Sequence, residues 1–160
     1  MVVTSSQAGA DVLLDQMSNL HSVVRMSHSF RDDINKKYAL DTLAHIDTFK
    51  KNRENSAQAI HEESQRRNKV LHTSKVIVAP INSLLTSGGN KSILDKYFTE
   101  FPKERLDTII VDDANLISEI DLVQGALRYG CTRLILIGNS KLTPLCFSLQ
   151  PKASQHLIQN

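Results

Sequence analysis

The chain alternates between short apolar runs and longer stretches in which apolar residues recur every three or four positions. The clearest run is Thr108-Ile109-Ile110-Val111, which stops abruptly at Asp112-Asp113-Ala114. Its lack of polar alternation predicts a buried strand of a parallel sheet, covered on both faces. The two acids then stand at the carboxyl end of the strand, where open α/β sheets bind ligands. A second apolar run, Arg133-Leu134-Ile135-Leu136-Ile137-Gly138-Asn139, follows after one helix. Val2-Val3-Thr4 predicts a strand at the start of the chain, and Ser5 to Gly9 a polar turn. Val12, Leu13, Met17 and Leu20 recur at helical spacing, which predicts a helix from about Ala8 to Ser18 with Ser5 or Ser6 accepting from its first free amides. Val23 to Met26 predicts the next strand. Strand–helix–strand is the repeating unit of a parallel sheet.

The middle of the chain differs. Residues 31–73 contain no glycine or proline and are dense in charge. Ile34, Leu43, Ile46 and Phe49 predict an amphipathic helix beginning near Asp32 or Asp33, and Lys50 to Asn55 a turn. Ser56 is then the cap of a second helix reaching about Leu71. The expectation is a helical hairpin inserted into the sheet domain, with Lys50, Lys51, Arg53, Arg66, Arg67 and Lys69 as a solvated basic face. Lys75 to Ala79 returns to strand character and is ended by Pro80, which cannot donate to a ladder. Ser87-Gly88-Gly89-Asn90 predicts a turn, and Ile93, Leu94, Tyr97 and Phe98 a short helix ended by Pro102. Ser118 with Asp121 resembles a capping box. The helix it opens carries Leu122, Val123, Ala126 and Leu127 and stops at Gly130. The pattern defines an α/β fold with a mostly parallel sheet over residues 1–150, and residues 151–160 as a polar tail.

Composition alters this picture little. The 160 residues are 41% hydrophobic and 22% charged, the composition of a folded domain and not of a disordered chain, and no apolar run is long enough to span a membrane. The formal charge of +2, from 19 basic and 17 acidic residues, gives no electrostatic ground for nucleic-acid binding. Cys131 and Cys146 form no framework, so an intracellular, reducing compartment, cytoplasmic or nuclear, is the expectation. The six histidines show no metal-ligand spacing. A basic, apolar secretory leader is absent from the amino-terminal sequence.

Candidate chemistry concentrates on the acids. A carboxylate at a strand tip can hold Mg²⁺ through its water shell, which makes Asp112 the candidate metal ligand, with Asp113 placed to orient an attacking water. The alternative is that the pair only caps the following turn. The sequence G-x-x-x-x-G-K-[ST] is absent, so the β- and γ-phosphates of a nucleotide have no principal cradle.

Several segments in order resemble superfamily-one RNA/DNA helicases of the group typified by the nonsense-mediated-decay helicase and senataxin. Val111-Asp112-Asp113-Ala114 resembles motif II, a DEAD-like D-E-A or D-E-S. Leu134 to Pro144 resembles motif III, and Val2 to Asp11 resembles motif Ia with its following helix. Val23 to Met26 and Lys75 to Ala79 match the next strands, and the hairpin matches a charged insertion. The resemblance covers residues 1–147 and implies a partial first RecA-like domain of the P-loop NTPase type. The family's P-loop would precede Met1, and its second RecA-like domain, with the arginine finger, would follow the chain.

For function, the resemblance implies Mg²⁺ and ATP as the parent family's cofactors. Asp112, Gly138 and Asn139 would face the nucleotide, Asp113 would be catalytic, and Ser6, Gln7, Asn82 and Ser83 would contact single-stranded RNA or DNA. The departures point to degeneracy. Asp113 stands where the family has glutamate, Asn139 where it has aspartate, Ala79 or Pro80 where it has a hydroxyl residue. Motif III is one residue short and lacks its glutamine. The expectation is a helicase-like pseudoenzyme, a degenerate or partial ATPase core that binds nucleic acid or a partner protein, hydrolyses no ATP alone and needs no cofactor of its own. The alternatives are a fragment of an active ATP-dependent helicase and a protein-interaction scaffold; no membrane association is expected.

Overall fold

The computed structural model describes residues 1–17, 19, 22–26, 36–46, 57–85, 92–139 and 141. Five strands, β1 (Val2–Thr4), β2 (Val23–Arg25), β3 (Val76–Pro80), β4 (Thr108–Val111) and β5 (Arg133–Leu136), form one sheet in the order β2-β3-β1-β4-β5. Every pairing is parallel. Helices flank the sheet: α1 (Gln7–Gln16), α2 (Leu40–Leu43), α3 (Ala57–Thr73), α4 (Ile93–Glu100) and α5 (Glu119–Arg128). This is an α/β fold consistent with a RecA-like arrangement. None of the described helices is long and apolar enough to cross a membrane.

Alternation along the strands builds two cores. Val2, Val23 and Val78 face α1 and pack against its Ala10 and Leu14. Val3, Val24, Ile77, Ala79, Ile109 and Val111 face the other way, against Leu71, Leu94, Tyr97 and Leu122 of α3, α4 and α5. The caps follow the serines. Ser6 Oγ accepts from the Gly9 amide and opens α1. Ser92 and Asp95 make a reciprocal capping box on α4, and Ser118 accepts from Asp121 on α5. Gly130 takes the left-handed φ of 62° that ends α5.

Two expectations are corrected. Pro80 does not stop β3 before itself; it is the last strand residue, in register with Thr4. The Leu134 run is not buried. Among the described residues β5 is an edge strand, and Leu134, Ile135, Leu136 and Ile137 are 42–55% exposed. The reason lies in α5, which turns toward α4 and the end of β3 instead of over β5. Arg128 pairs with Asp95 of α4, Tyr129 Oη donates to the Leu84 carbonyl, and Leu84 packs at Gly125.

Of the hairpin, the second arm is α3, and α2 packs on it through Arg67, whose Nε donates to Asp41 at 2.6 Å. Arg66 and Lys69 are exposed, but Arg67 is half-buried and paired. Ile34, the Lys50–Asn55 turn, Ser56, the Ser87–Asn90 turn and the 151–160 tail lie outside the described residues.

Candidate functional site at the carboxyl edge of the sheet

The sheet order sets the geometry. The chain leaves β1 into α1 on one face and leaves β4 toward α5 on the other. Between two such neighbours an open parallel sheet has a crevice at its carboxyl edge. Here β1 and β4 are adjacent, so Ser5-Ser6-Gln7 and Asp112-Asp113 flank that crevice. The Asp112 amide donates to the Val3 carbonyl at 2.8 Å, which sets Asp112 level with Thr4 at the strand tip. Asn82 and Ser83 follow β3 in a 3-10 turn at the same edge, and Gly138 and Asn139 follow β5.

The eight candidate residues therefore share one edge, but in different states. Ser6 is exposed, with its hydroxyl committed to the α1 cap. Gln7 is exposed as a residue, and its carbonyl and Oε1 both accept from Arg25 Nη2, at 3.1 and 2.8 Å. Asn82 is exposed. Ser83 is half-buried, its hydroxyl 3.5 Å from the Met26 carbonyl. Asp112 is half-buried, and its Oδ1 accepts the Asp113 amide at 3.0 Å. Asp113 is exposed in the left-handed region at φ 52°, a conformation aspartate tolerates better than most residues. So one Asp112 oxygen serves the turn.

The tips of β4 and β5 are clasped. Ala114 N–H donates to the Ile137 carbonyl at 2.9 Å, and Asn139 N–H donates to Asn115 Oδ1 at 3.2 Å. Asn115 Nδ2 is enclosed without a partner among the described residues. Asn139 Oδ1 in turn accepts the Lys141 amide at 2.9 Å. Gly138 is required at this contact, because a Cβ there would stand 2.8 Å from Asn115 Oδ1 and 3.2 Å from the Asn115 amide. Gly138→Ala is expected to cost about 1–3 kcal/mol as an overpacking change. Urea unfolding reads that cost, and hydrogen exchange reads faster opening at Asn139. An unchanged midpoint and unchanged Asn139 protection would refute the clasp.

Two residues that sequence reasoning missed tie the first turns of α1 to the end of β2. Arg25 is fully buried, and Asp11 is 4% exposed. Arg25 Nε and Nη2 donate to Asp11 Oδ1 at 3.1 and 3.0 Å, and Nη1 donates to the Met26 carbonyl at 3.0 Å. Burial pulls the guanidinium below its ordinary pKa, and the Asp11 carboxylate opposes that. The signal was legible: Val23-Val24-Arg25-Met26 is an apolar strand interrupted by one cation, which a buried position tolerates only with a partner.

The chemistry available is a helix N-terminus with polar side chains on one flank and two carboxylates on the other. The first flank suits an anion. The second suits a cation, yet one or two carboxylates fill only part of an octahedral Mg²⁺ shell. Among the described residues no group of three or more His, Cys, Asp or Glu gathers to complete it. No family model matches the chain, and no curated protein is significantly similar to it.

Proposed function

We propose that the chain is a helicase-like domain, a degenerate or partial ATPase core whose carboxyl sheet edge contacts single-stranded nucleic acid and which does not hydrolyse ATP by itself. The observation that carries the reading is the sheet order. It lines up Asn82-Ser83, Ser6-Gln7, Asp112-Asp113 and Gly138-Asn139 along one edge. Ser6, Gln7, Asn82 and Ser83 form its polymer-facing part, through backbone contacts that read no sequence. Asp112 would hold Mg²⁺ only with phosphate oxygens completing the shell, as in the parent family's use of ATP. Asp113 would be the water-orienting acid, one methylene short of a glutamate. A displacement of about 1 Å is enough to disable such a step.

The test is fluorescence anisotropy with single-stranded RNA and DNA at low and high salt. Binding is expected to be weak, sequence-tolerant and reduced by salt. A Gln7→Glu/Asn82→Glu double variant, which adds two negative charges at the edge, is expected to weaken it about tenfold or more. Phosphate release with ATP and Mg²⁺ is expected to stay at background. No binding at low salt would remove the nucleic-acid reading, and hydrolysis lost in Asp112→Ala would remove the inactive-core reading.

A further inference from the structure

We infer that Arg25 is a positioning residue for the strand-binding edge. Its guanidinium, anchored on Asp11, holds Gln7 of α1 and the Met26 carbonyl beside Ser83 in the arrangement that meets the polymer. The inference rests on the nucleic-acid reading and adds to it a residue that touches no ligand.

Three observations carry it. First, the guanidinium reaches well past its ion partner. Nε and Nη2 donate to Asp11 Oδ1 at 3.1 and 3.0 Å, which makes the ion pair. Nη2 also donates to the Gln7 carbonyl and to Gln7 Oε1, at 3.1 and 2.8 Å, and Nη1 donates to the Met26 carbonyl at 3.0 Å. A rigid planar fork can serve acceptors in several directions at once, and a lysine ammonium cannot.

Second, the additional acceptors sit where the polymer-facing residues begin. Gln7 opens the first turn of α1 and is exposed as a residue. Met26 follows β2, and its amide donates to the Val78 carbonyl of β3 at 2.9 Å. The Ser83 hydroxyl lies 3.5 Å from the same Met26 carbonyl that Arg25 holds. One buried group therefore links the first turn of α1 to the segment after β3, the two places that supply Gln7 and Asn82-Ser83.

Third, Arg25 is fully buried, so a bound strand meets it only through the residues it holds. A buried ion pair is weak ground for stability, because apolar residues of similar volume often do as well or better. Apolar residues cannot supply the fork that orders Gln7 before binding. A glutamine left free to rotate loses that freedom on contact, which weakens association.

The test compares wild type, Arg25→Met/Asp11→Leu and Arg25→Lys by fluorescence anisotropy with single-stranded RNA and DNA, with urea unfolding reporting that each is folded. The double variant removes one charge of each sign, so the net charge is unchanged. Arg25→Lys keeps a cation for Asp11 and loses the fork, and it carries the comparison alone if the double variant does not fold. Both are expected to bind roughly fivefold to tenfold more weakly. The salt dependence should keep its slope, because no charge in contact with phosphate is lost. Gln7→Ala should weaken the wild type and change little in the double variant, the non-additivity of a shared interaction. In the free protein, NMR relaxation of the Gln7 side-chain amide should show an ordered group that gains motion in both variants. Folded variants that bind like the wild type, Gln7→Ala losses that simply add, or a Gln7 amide already mobile in the wild type would overturn the inference and leave the nucleic-acid reading standing. A wild-type chain that binds neither polymer at low salt would remove that reading, and this inference with it.

Discussion

Arg25→Met is expected to destabilise the chain by about 3–5 kcal/mol, because it strands the Asp11 carboxylate in the interior. Asp11 is 4% exposed, and its Oδ1 accepts two hydrogen bonds from Arg25. The same guanidinium holds the Gln7 carbonyl and side chain and the Met26 carbonyl. The substitution therefore frees the first turn of α1 as well as opening the β2 side of the core. For a chain of this length the melting temperature should fall by roughly 10 °C. The decisive comparison is the double variant Arg25→Met/Asp11→Leu. Replacing a buried pair by apolar groups of similar volume is often neutral or stabilising, so the pair should recover most of the loss. A double variant as unstable as Arg25→Met alone would show that the backbone and Gln7 contacts, not the ion pair, carry the cost.

The second large effect belongs to the junction of α4 and α5. Asp95 is 7% exposed and accepts from Arg128 Nη2 at 3.0 Å, from the Ser92 amide at 2.8 Å and from Tyr129 Oη at 3.2 Å. Burial alone would raise its pKa, but the Ser92 backbone bond, the Arg128 side chain and the Ser92 hydroxyl together hold it below the ordinary value. Burial, with the nearby Asp95 charge, pushes the Tyr129 hydroxyl up to about 12 despite its bond with Ser92, so it remains a donor throughout the physiological range. Asp95→Asn is expected to cost about 2 kcal/mol near neutral pH, the scale of a hydrogen bond to a charged group.

The pH dependence has a definite sign. A carboxyl with a lowered folded pKa stabilises fully above its unfolded pKa and loses that contribution as pH falls through the folded value. The gap between wild type and Asp95→Asn should therefore be widest near neutrality and close on the acid side, below about pH 4. Asp107, held low by Arg133 at the surface, titrates in the same region. It is present in both proteins, so it cancels from the difference. Parallel urea midpoints at every pH would refute the charge assignment.

Both predictions rest on residues that the linear sequence mentions only obliquely. Ser92 and Asp95 have the spacing of a capping box, yet nothing near them announces Arg128 and Tyr129, more than thirty positions away. Arg25 interrupts an apolar strand and so advertises a partner, but Asp11 lies on a different element. Asn115 gave no signal, because a clasp between strand tips depends on which strands are neighbours.

What the sequence determined by itself was local. Unbroken apolar runs and serine caps marked five strands, the cap of α5, the cap of α1 to within Ser5 or Ser6, and an α/β fold with Asp112 at a strand tip, since propensity, capping and periodicity act within a few residues. What only the tertiary structure decided was adjacency. The order β2-β3-β1-β4-β5 makes β1 and β4 neighbours and so draws Ser6-Gln7 beside Asp112-Asp113. The same order leaves β5 at the margin, where an apolar run that reads as buried stays half in solvent. Strand order is set by long-range packing of helices on the sheet, and no single stretch of chain encodes it.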